Sequence, residues 1–554
     1  MTEETPVLVL GAGPVGQTAA LLLARWGVPV VLLEARTERE RAGSRAICQQ
    51  RDVLDVWEDV GAGAVAEEGV TWDTARTFYR DTELFRVRLR DPGASPFPPF
   101  VNLSQARTEE ILDARVAAEP RIEVRRGHEA TAIAQDADGV VVRCRTARGP
   151  VVVRGGYAVV CLGARAGWAR AALGVAFEGH SFADRFLICD IRADLAGWER
   201  ERRFYFDPEW NPGRQVLIHP CPGSVYRIDW QVPPDFDLAA EEACGGLDRR
   251  IRRIVGDRRY EVVWRSVYRF HTRVASRMRV GRVLLAGDTA HLVAPFGARG
   301  LNSGVHDAEN AAWKLAFAVR GWAGGDLLES YEVERRAAAV ENAEVTGRTM
   351  RFLVPQDEAG RRWRADVLRR AVSDPAARAL VDSGRLFEPF WYADSPLTTP
   401  DPLRPVRGRP GRGAAPPPGP GVLVPDAVVE VPGVGRTRLR RLARGGLTVL
   451  AAAREEAAAA LAVARTVCGA PVAGFGLAEI DRDGVLRAAL GVRPGEVWLL
   501  RPDAHVAAVL PAGDAAAVGA AVSAVVGRSP ARDGQVSLAS PREETGDGVL
   551  PASG

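Results

Sequence analysis

The chain begins with an apolar run from Pro6 to Leu10, then a glycine-rich turn, then residues 14–25, which are rich in alanine and leucine. Gly27 closes that stretch, and residues 28–33 form a second apolar run that ends on Glu34. Short runs that are apolar at every position predict strands buried on both faces, as in a parallel sheet. The stretch between them predicts a helix stopped by glycine. The opening therefore predicts a βαβ unit. After residue 130 the pattern changes. ATAIAQDADGVVVRCRTARGPVVVRGGYAVVCLG predicts strands with turns at Asp138-Gly139 and Arg148-Gly149. Four more strand-like stretches follow within residues 184–232: RFLICDIRA, RRFYFDP, GRQVLIHPCP and SVYRIDWQV. They predict a mostly antiparallel region. Residues 302–321 and 326–348 read as helices. A Pro/Gly-rich stretch, 396–425, predicts a linker. Beyond it, residues 436–527 alternate strands (LTVLAAA, VWLLRP, HVAAVL) with alanine-rich helices, a small α/β unit. The polar residues 531–554 predict a flexible tail.

Composition narrows the class. A chain of 554 residues predicts three or four structural units, at roughly 100–200 residues each. A net charge of +3 gives no basic field for nucleic acid. The positive charge is arginine except for a single lysine, Lys314. Seven cysteines occur without CxxC spacing, which argues against a zinc site or a dithiol redox motif. Scattered thiols and no signal peptide predict a reducing cytoplasm. No apolar run approaches the roughly 18 residues that would predict a membrane span.

Two stretches carry candidate chemistry. Gly11, Gly13 and Gly16 stand in GxGxxG spacing between the first strand and helix, and Glu34 ends the next strand 18 residues after Gly16. Glycines there permit a tight turn and close approach of a pyrophosphate to the helix N-terminus, and the acid can accept from an adenosine ribose. The second stretch is LLAGDTAHLVAPFGARGLNSG, residues 284–304, with one early acid, Asp288, and a helix-like run behind it.

Taken together, GAGPVG with Glu34, GSRAICQQRDVLDVW (43–57), FPPFVNLSQARTE (97–109) and AGDTAHLVAPFGARGLNSG (286–304) resemble the class A FAD-dependent aromatic hydroxylases. The similarity is to the branch of 3-(3-hydroxyphenyl)propionate, phenol and polyketide hydroxylases. The resemblance implies an α/β fold: a Rossmann-like FAD-binding domain with an inserted, mostly antiparallel substrate-binding sheet, similar to p-hydroxybenzoate hydroxylase, and a C-terminal thioredoxin-like domain without CxxC. The implied division is 1–395 for the FAD-binding domain, with the insert at about 75–105 and 175–275, then the linker, a thioredoxin-like domain over 426–530, and the tail.

For the cofactor, the resemblance assigns Gly11, Gly13 and Gly16 to the pyrophosphate and Glu34 to the ribose, with Arg36 beside it. Arg45 and Gln105 match positions that contact the FAD phosphates and ribityl chain. Asp288 would hold the ribityl hydroxyls, and Pro295, Gly300, Leu301 and Asn302 would run beside the isoalloxazine ring. The implied activity is hydroxylation of an aromatic substrate by O2 through a flavin C4a-hydroperoxide, with NAD(P)H as reductant. Baeyer–Villiger or epoxidising chemistry on a polyketide is the alternative. The implied partners are a small aromatic molecule and O2, with a homodimer as the candidate assembly and neither nucleic acid nor membrane. For the substrate hydroxyl, His219 at the end of VLIHP is the candidate base; Tyr205, Tyr226 and Asp229 are nearby alternatives. Arg299 is a candidate for meeting an acidic substrate. The aromatic set Trp198, Phe204, Tyr205, Phe206, Trp210 and Trp230 suits an aromatic ligand. One segment departs from the family. In VVCLGARAGWAR (159–170), Leu162 and Ala166 replace the family's aspartate and serine, which predicts impaired flavin reduction by NAD(P)H.

Overall fold

The computed structural model of the protein describes residues 6–39, 46–89, 95–406, 408 and 417–528. Arg45 and the tail 531–554 lie outside the described residues. The fold is mixed α/β. Val7–Leu10, Val30–Glu34, Ile122–Arg126, Tyr157–Val160 and Val283–Leu285 form a parallel sheet. The hairpin strand Arg279–Val280 caps one edge. Val7–Leu10 is central and wholly buried, which explains why it is apolar at every position. Helix Pro14–Arg25 and the long helix Arg299–Val319 pack against each other beside this sheet.

A second sheet has eight strands in the order His291–Leu292, Tyr260–Ala275, Phe177–Ala193, Val225–Val232, Gln215–Cys221, Glu201–Phe206, Thr74–Tyr79 and Thr82–Arg88. Its pairings are antiparallel except that Glu201–Phe206 runs parallel to Thr74–Tyr79. Each of its faces has its own core. One face buries Leu187, Ile191, Ile218, Ile228 and Trp230 under helix Gly246–Val255. The other buries Phe186, Phe204, Phe206 and Leu217 with Phe296 of the Gly-Asp loop. The period-two alternation therefore divides the aromatic set. Trp198, Tyr205, Trp210 and Trp230 belong to the outer core, and only Phe204 and Phe206 face the loop. Tyr226 is also in the outer core.

The C-terminal sheet has the order Val472–Gly476, Leu447–Ala451, Glu496–Leu500, Val506–Pro511. Only its first pair is parallel. Helix Arg454–Val467 connects that parallel pair, and helix Ala515–Val525 follows the last strand. The expected linker is no free spacer along its described parts. Leu397, Val422, Leu423 and Val424 are buried, Thr399 N–H donates to Ala507 O (2.8 Å), and Gly421 N–H donates to Val506 O (2.7 Å). Apolar residues between the prolines explain the difference, since each docks on the C-terminal sheet.

Candidate functional site

The first strand delivers the chain into the glycine turn, and each glycine there does a different job. Gly11 adopts φ 101°, and a Cβ on it would meet Cys161 O at 2.5 Å. A Cβ on Gly16 would sit 1.9 Å from Gly11 O, so only glycine lets the helix approach the strand. A Cβ on Gly13 would meet nothing within 4 Å; this is the position open to a ligand. Gly13 is also the N-cap of helix Pro14–Arg25, with no side-chain cap, so the helix presents its positive end to that opening. Glu34 Oε2 accepts from Ala12 N–H (2.9 Å) and Oε1 from Arg36 N–H (3.0 Å), fixing the acid beside the turn. Arg39, absent from the sequence-based candidates, reaches Ala12 O (2.9 Å) and pairs with Glu109 and Asp113. Gln105 Oε1 accepts from Ala46 N–H (3.1 Å), and its amide donates to Glu109 (2.8 Å). It thereby fastens the segment that follows Arg45.

The Gly-Asp loop crosses from the parallel sheet to the long helix. Asp288 is half-buried in a short 3-10 turn, Gly287–Thr289. Its position is set by Asp307, whose Oδ2 accepts from Gly287 N–H (3.0 Å) and His291 Nε2 (2.7 Å) and whose Oδ1 accepts from Arg335 (2.7 Å). Burial raises the Asp307 carboxyl, but Arg335 and His291 outweigh it and hold the group at about 2. Farther along, Gly297 adopts φ 94°, and a Cβ there would lie 2.0 Å from Arg385 O. Ala298 takes the left-handed conformation at φ 57° and starts helix Arg299–Val319 without a side-chain cap. This is why the helix begins three residues before the sequence pattern suggests. Asn302 Oδ1 accepts from Gln50 N–H (2.8 Å), and its amide donates to Cys48 O (3.0 Å). Asn302 thus locks the loop to strand Cys48–Gln50. Pro295 is exposed, while Gly300 and Leu301 are half-buried at the helix start. Arg299 is buried and donates to Asn342 Oδ1 (2.7 Å), which ties the start of this helix to helix Glu329–Leu353.

Phe296 carries the loop into the eight-stranded sheet, with ring centroids 5.6 Å from Phe186, 6.1 Å from Phe270 and 6.3 Å from Phe204. Beside these rings lie polar groups on the same face. Arg227 holds Asp190 through two hydrogen bonds (2.7 and 2.8 Å). His219 lies opposite Arg227 in the register and 6.4 Å from the ring of Trp72. Trp72 packs on Phe100 with ring centroids 4.6 Å apart and the planes tilted by 52°. Buried atoms without hydrogen-bond partners cluster here: His219 Nδ1, Asp229 Oδ1, Trp72 Nε1 and Asn102 Oδ1. Burial first, and then the charges of Arg202 and Arg227, push the His219 imidazole well below the usual histidine value. His219 is therefore a neutral hydrogen-bonding group at pH 7.

The family model described as an FAD binding domain matches residues 4–346, more than half of the chain. The chain belongs to the FAD-binding-domain family. Among curated relatives, the chain is 30% identical over 380 residues to 3-(3-hydroxy-phenyl)propionate/3-hydroxycinnamic acid hydroxylase from Mycobacterium sp. (strain JLS). That match covers 68% of this chain and 65% of the relative, so the chain spans a little under two thirds of the relative's length. Among solved structures, the flavin-dependent monooxygenase PieE in complex with FAD and substrate is similar at TM-score 0.81 and 25% identity, covering 95% of this chain and 98% of that one. Aklavinone-11 hydroxylase with FAD and aklavinone is similar at TM-score 0.73 and 25% identity, covering 95% and 100%.

The residues present fit the family's cofactor. The open face at Gly13 and two uncapped helix N-termini suit a dinucleotide's phosphates and an electron-rich ring. Glu34 and Asp288 are both half-buried at the ends of parallel strands. The turn Gly163–Arg165 packs on Gly287–Thr289, and Leu162 lies against the main core. An apolar side chain therefore sits beside the Gly-Asp turn, where the family resemblance implies a carboxylate.

Proposed function

We propose that the protein is an FAD-dependent monooxygenase that hydroxylates an aromatic substrate, phenolic or polyketide-like, using O2 and NAD(P)H. The observation that carries this reading is the Phe186, Phe204 and Phe296 face with its unpartnered polar atoms, set on the same side as the Gly-Asp loop. The rings offer an apolar wall suited to an aromatic substrate, and the orphaned donors and acceptors suit phenolic oxygens. The names of the relatives and structural neighbours support the same chemistry.

FAD, when bound, supplies the redox and oxygen-activating chemistry. The chain's own residues would hold it through Gly11, Gly13, Gly16, Glu34 and Asp288, and Phe296 would shield the reacting centre from water. His219, as a neutral group, would orient the substrate hydroxyl. The C-terminal unit is read as thioredoxin-like, on the strength of its strand order and its two helices. It holds a single buried thiol, Cys468, among the described residues, so an assembly role suits it better than redox exchange. The chain then divides near residue 395. A second reading, a flavoprotein only slowly reduced by NAD(P)H, is favoured by Leu162. The test is NADPH and NADH oxidation by the FAD-loaded protein with a panel of phenols. Stimulation together with a hydroxylated product supports the proposal. FAD binding without stimulation by any phenol favours the second reading.

A further inference from the structure

We infer that Asp229 is the proton acceptor for the substrate's phenolic hydroxyl, an inference that rests on the hydroxylase reading above. Strand Val225–Val232 alternates, so Arg227, Asp229 and Gln231 share the loop-facing side while Tyr226, Ile228 and Trp230 fill the outer core. Asp229 lies opposite Leu217 on one neighbouring strand and Ile188 on the other. His219 is its diagonal neighbour, at roughly 7–8 Å between Cα atoms by sheet geometry. Leu217 in turn lies opposite Phe204, one of the rings around Phe296. The carboxyl therefore stands between the polar row of Asp190, Arg227 and His219 and the aromatic row next to the loop.

The neighbours leave this carboxyl available. Arg227 spends its guanidinium on Asp190, and Arg202 donates to Ser383 O (2.9 Å). No ion pair engages Asp229 among the described residues, and its buried Oδ1 lacks a hydrogen-bond partner. A carboxylate oxygen buried without a partner is costly, and a catalytic role is one reason a protein keeps such an atom. The charged and titratable groups facing it are Arg227 on its own strand, Asp190, Arg202, His219 and the thiols of Cys221 and Cys48. Both thiols are pushed up to about 12, chiefly by burial. Burial raises Asp229 most. Arg227 and Arg202 oppose this and Asp190 adds to it, leaving the carboxyl at about 7. A base of that strength is matched to neutral pH. His219, weakened by burial and by the charges of Arg202 and Arg227, is too weak a base for the role.

In the step, the phenol O–H bond breaks and the proton goes to Asp229 Oδ1. The electron pair stays on the phenolic oxygen and enriches the ring carbons that the incoming oxygen attacks.

The experiment uses FAD-loaded wild type, Asp229→Asn, Asp229→Glu and His219→Gln with phenol, 3-hydroxyphenylpropionate, 1-naphthol and 4-nitrophenol. It reads product formation and FAD content together. For weakly acidic phenols, Asp229→Asn should lower kcat by about 100-fold or more. The loss should shrink for 4-nitrophenol, which ionises unaided, and Asp229→Glu should recover part of the rate. The wild-type rate should rise with pH through about 7, and that rise should vanish in Asp229→Asn. A loss of equal size for every phenol would mean a structural role and overturn the inference. So would retention of the pH rise in Asp229→Asn with its loss in His219→Gln. If the wild type binds FAD but hydroxylates neither these four nor a phenolic polyketide, the hydroxylase reading itself fails, and the inference with it.

Discussion

Replacing Arg501 with methionine tests whether the C-terminal unit holds the flavin loop in place. Arg501 is fully buried. Its guanidinium donates to both oxygens of Glu334 (2.5 and 2.9 Å) and both of Asp503 (3.0 and 2.6 Å). Glu334 precedes Arg335, and Arg335 holds Asp307, which in turn fixes Gly287 and His291 in the Gly-Asp loop. Buried polar contacts therefore lead from Arg501, through the adjacent residues Glu334 and Arg335, to Gly287 and His291, which flank Asp288 in the loop. Removing one partner of a buried ion pair costs roughly 3–5 kcal/mol, because the other charge stays behind. The lower end applies here. Glu334 keeps Lys314 (2.6 Å), Asn310 (2.7 Å) and Ser395 (2.5 Å), and Asp503 keeps Trp313 Nε1 (3.2 Å). About 3 kcal/mol is a factor on the order of 100 in an equilibrium constant. The assay is urea unfolding of FAD-loaded protein, followed by tryptophan and flavin fluorescence. Arg501→Met should release FAD at lower urea than wild type, together with opening of the C-terminal unit. Unchanged urea midpoint and FAD retention would refute the coupling.

Three further outcomes follow from the same geometry. Gly16→Ala should abolish FAD retention, because its Cβ would lie 1.9 Å from Gly11 O; flavin absorbance after desalting checks this. Asp307 has a carboxyl at about 2 when folded against about 3.9 unfolded. Its depressed value stabilises the native loop by roughly 2 kcal/mol above pH 4, and this is lost as pH falls toward 2. FAD release on acidification should therefore steepen in that window, and Asp307→Asn should bind FAD weakly and lose that steepening. Leu162→Asp should speed flavin reduction by NAD(P)H by about 10- to 150-fold, the worth of one charge-assisted hydrogen bond, as read by stopped-flow absorbance; equal, fast reduction in both proteins would mean that the leucine merely packs.

The parts of the site that are legible in the sequence are those set by local backbone demands. Glycines 11, 13 and 16 reveal the turn because no other residue fits at two of those positions, and continuous apolar runs reveal buried parallel strands. What escapes is set by pairing between distant residues. Period-two alternation marks the strands of the eight-stranded sheet but not which face meets the loop, so Trp198, Tyr205, Trp210 and Trp230 resemble ligand contacts until the register places them in the outer core. His219 stands out as a histidine after an apolar run, yet its weakness as a base comes from burial first and then from Arg202 and Arg227 on neighbouring strands, none of which the local sequence shows. The link from Arg501 to Glu334 spans 167 residues and has no local signature. The Pro/Gly-rich stretch resembles a spacer by composition, and only its scattered apolar residues, docked on the C-terminal sheet, show otherwise.

The central claim is that this chain places an oxygen atom from O2 on an aromatic ring. Purified FAD-loaded protein, supplied with NADPH, isotopically labelled O2 and the phenol that most stimulates NADPH oxidation, tests it by mass spectrometry of the product. The account predicts one labelled oxygen on a ring carbon for each product molecule. A product without label, or NADPH consumed with peroxide as the sole oxygen product for every phenol, would contradict it.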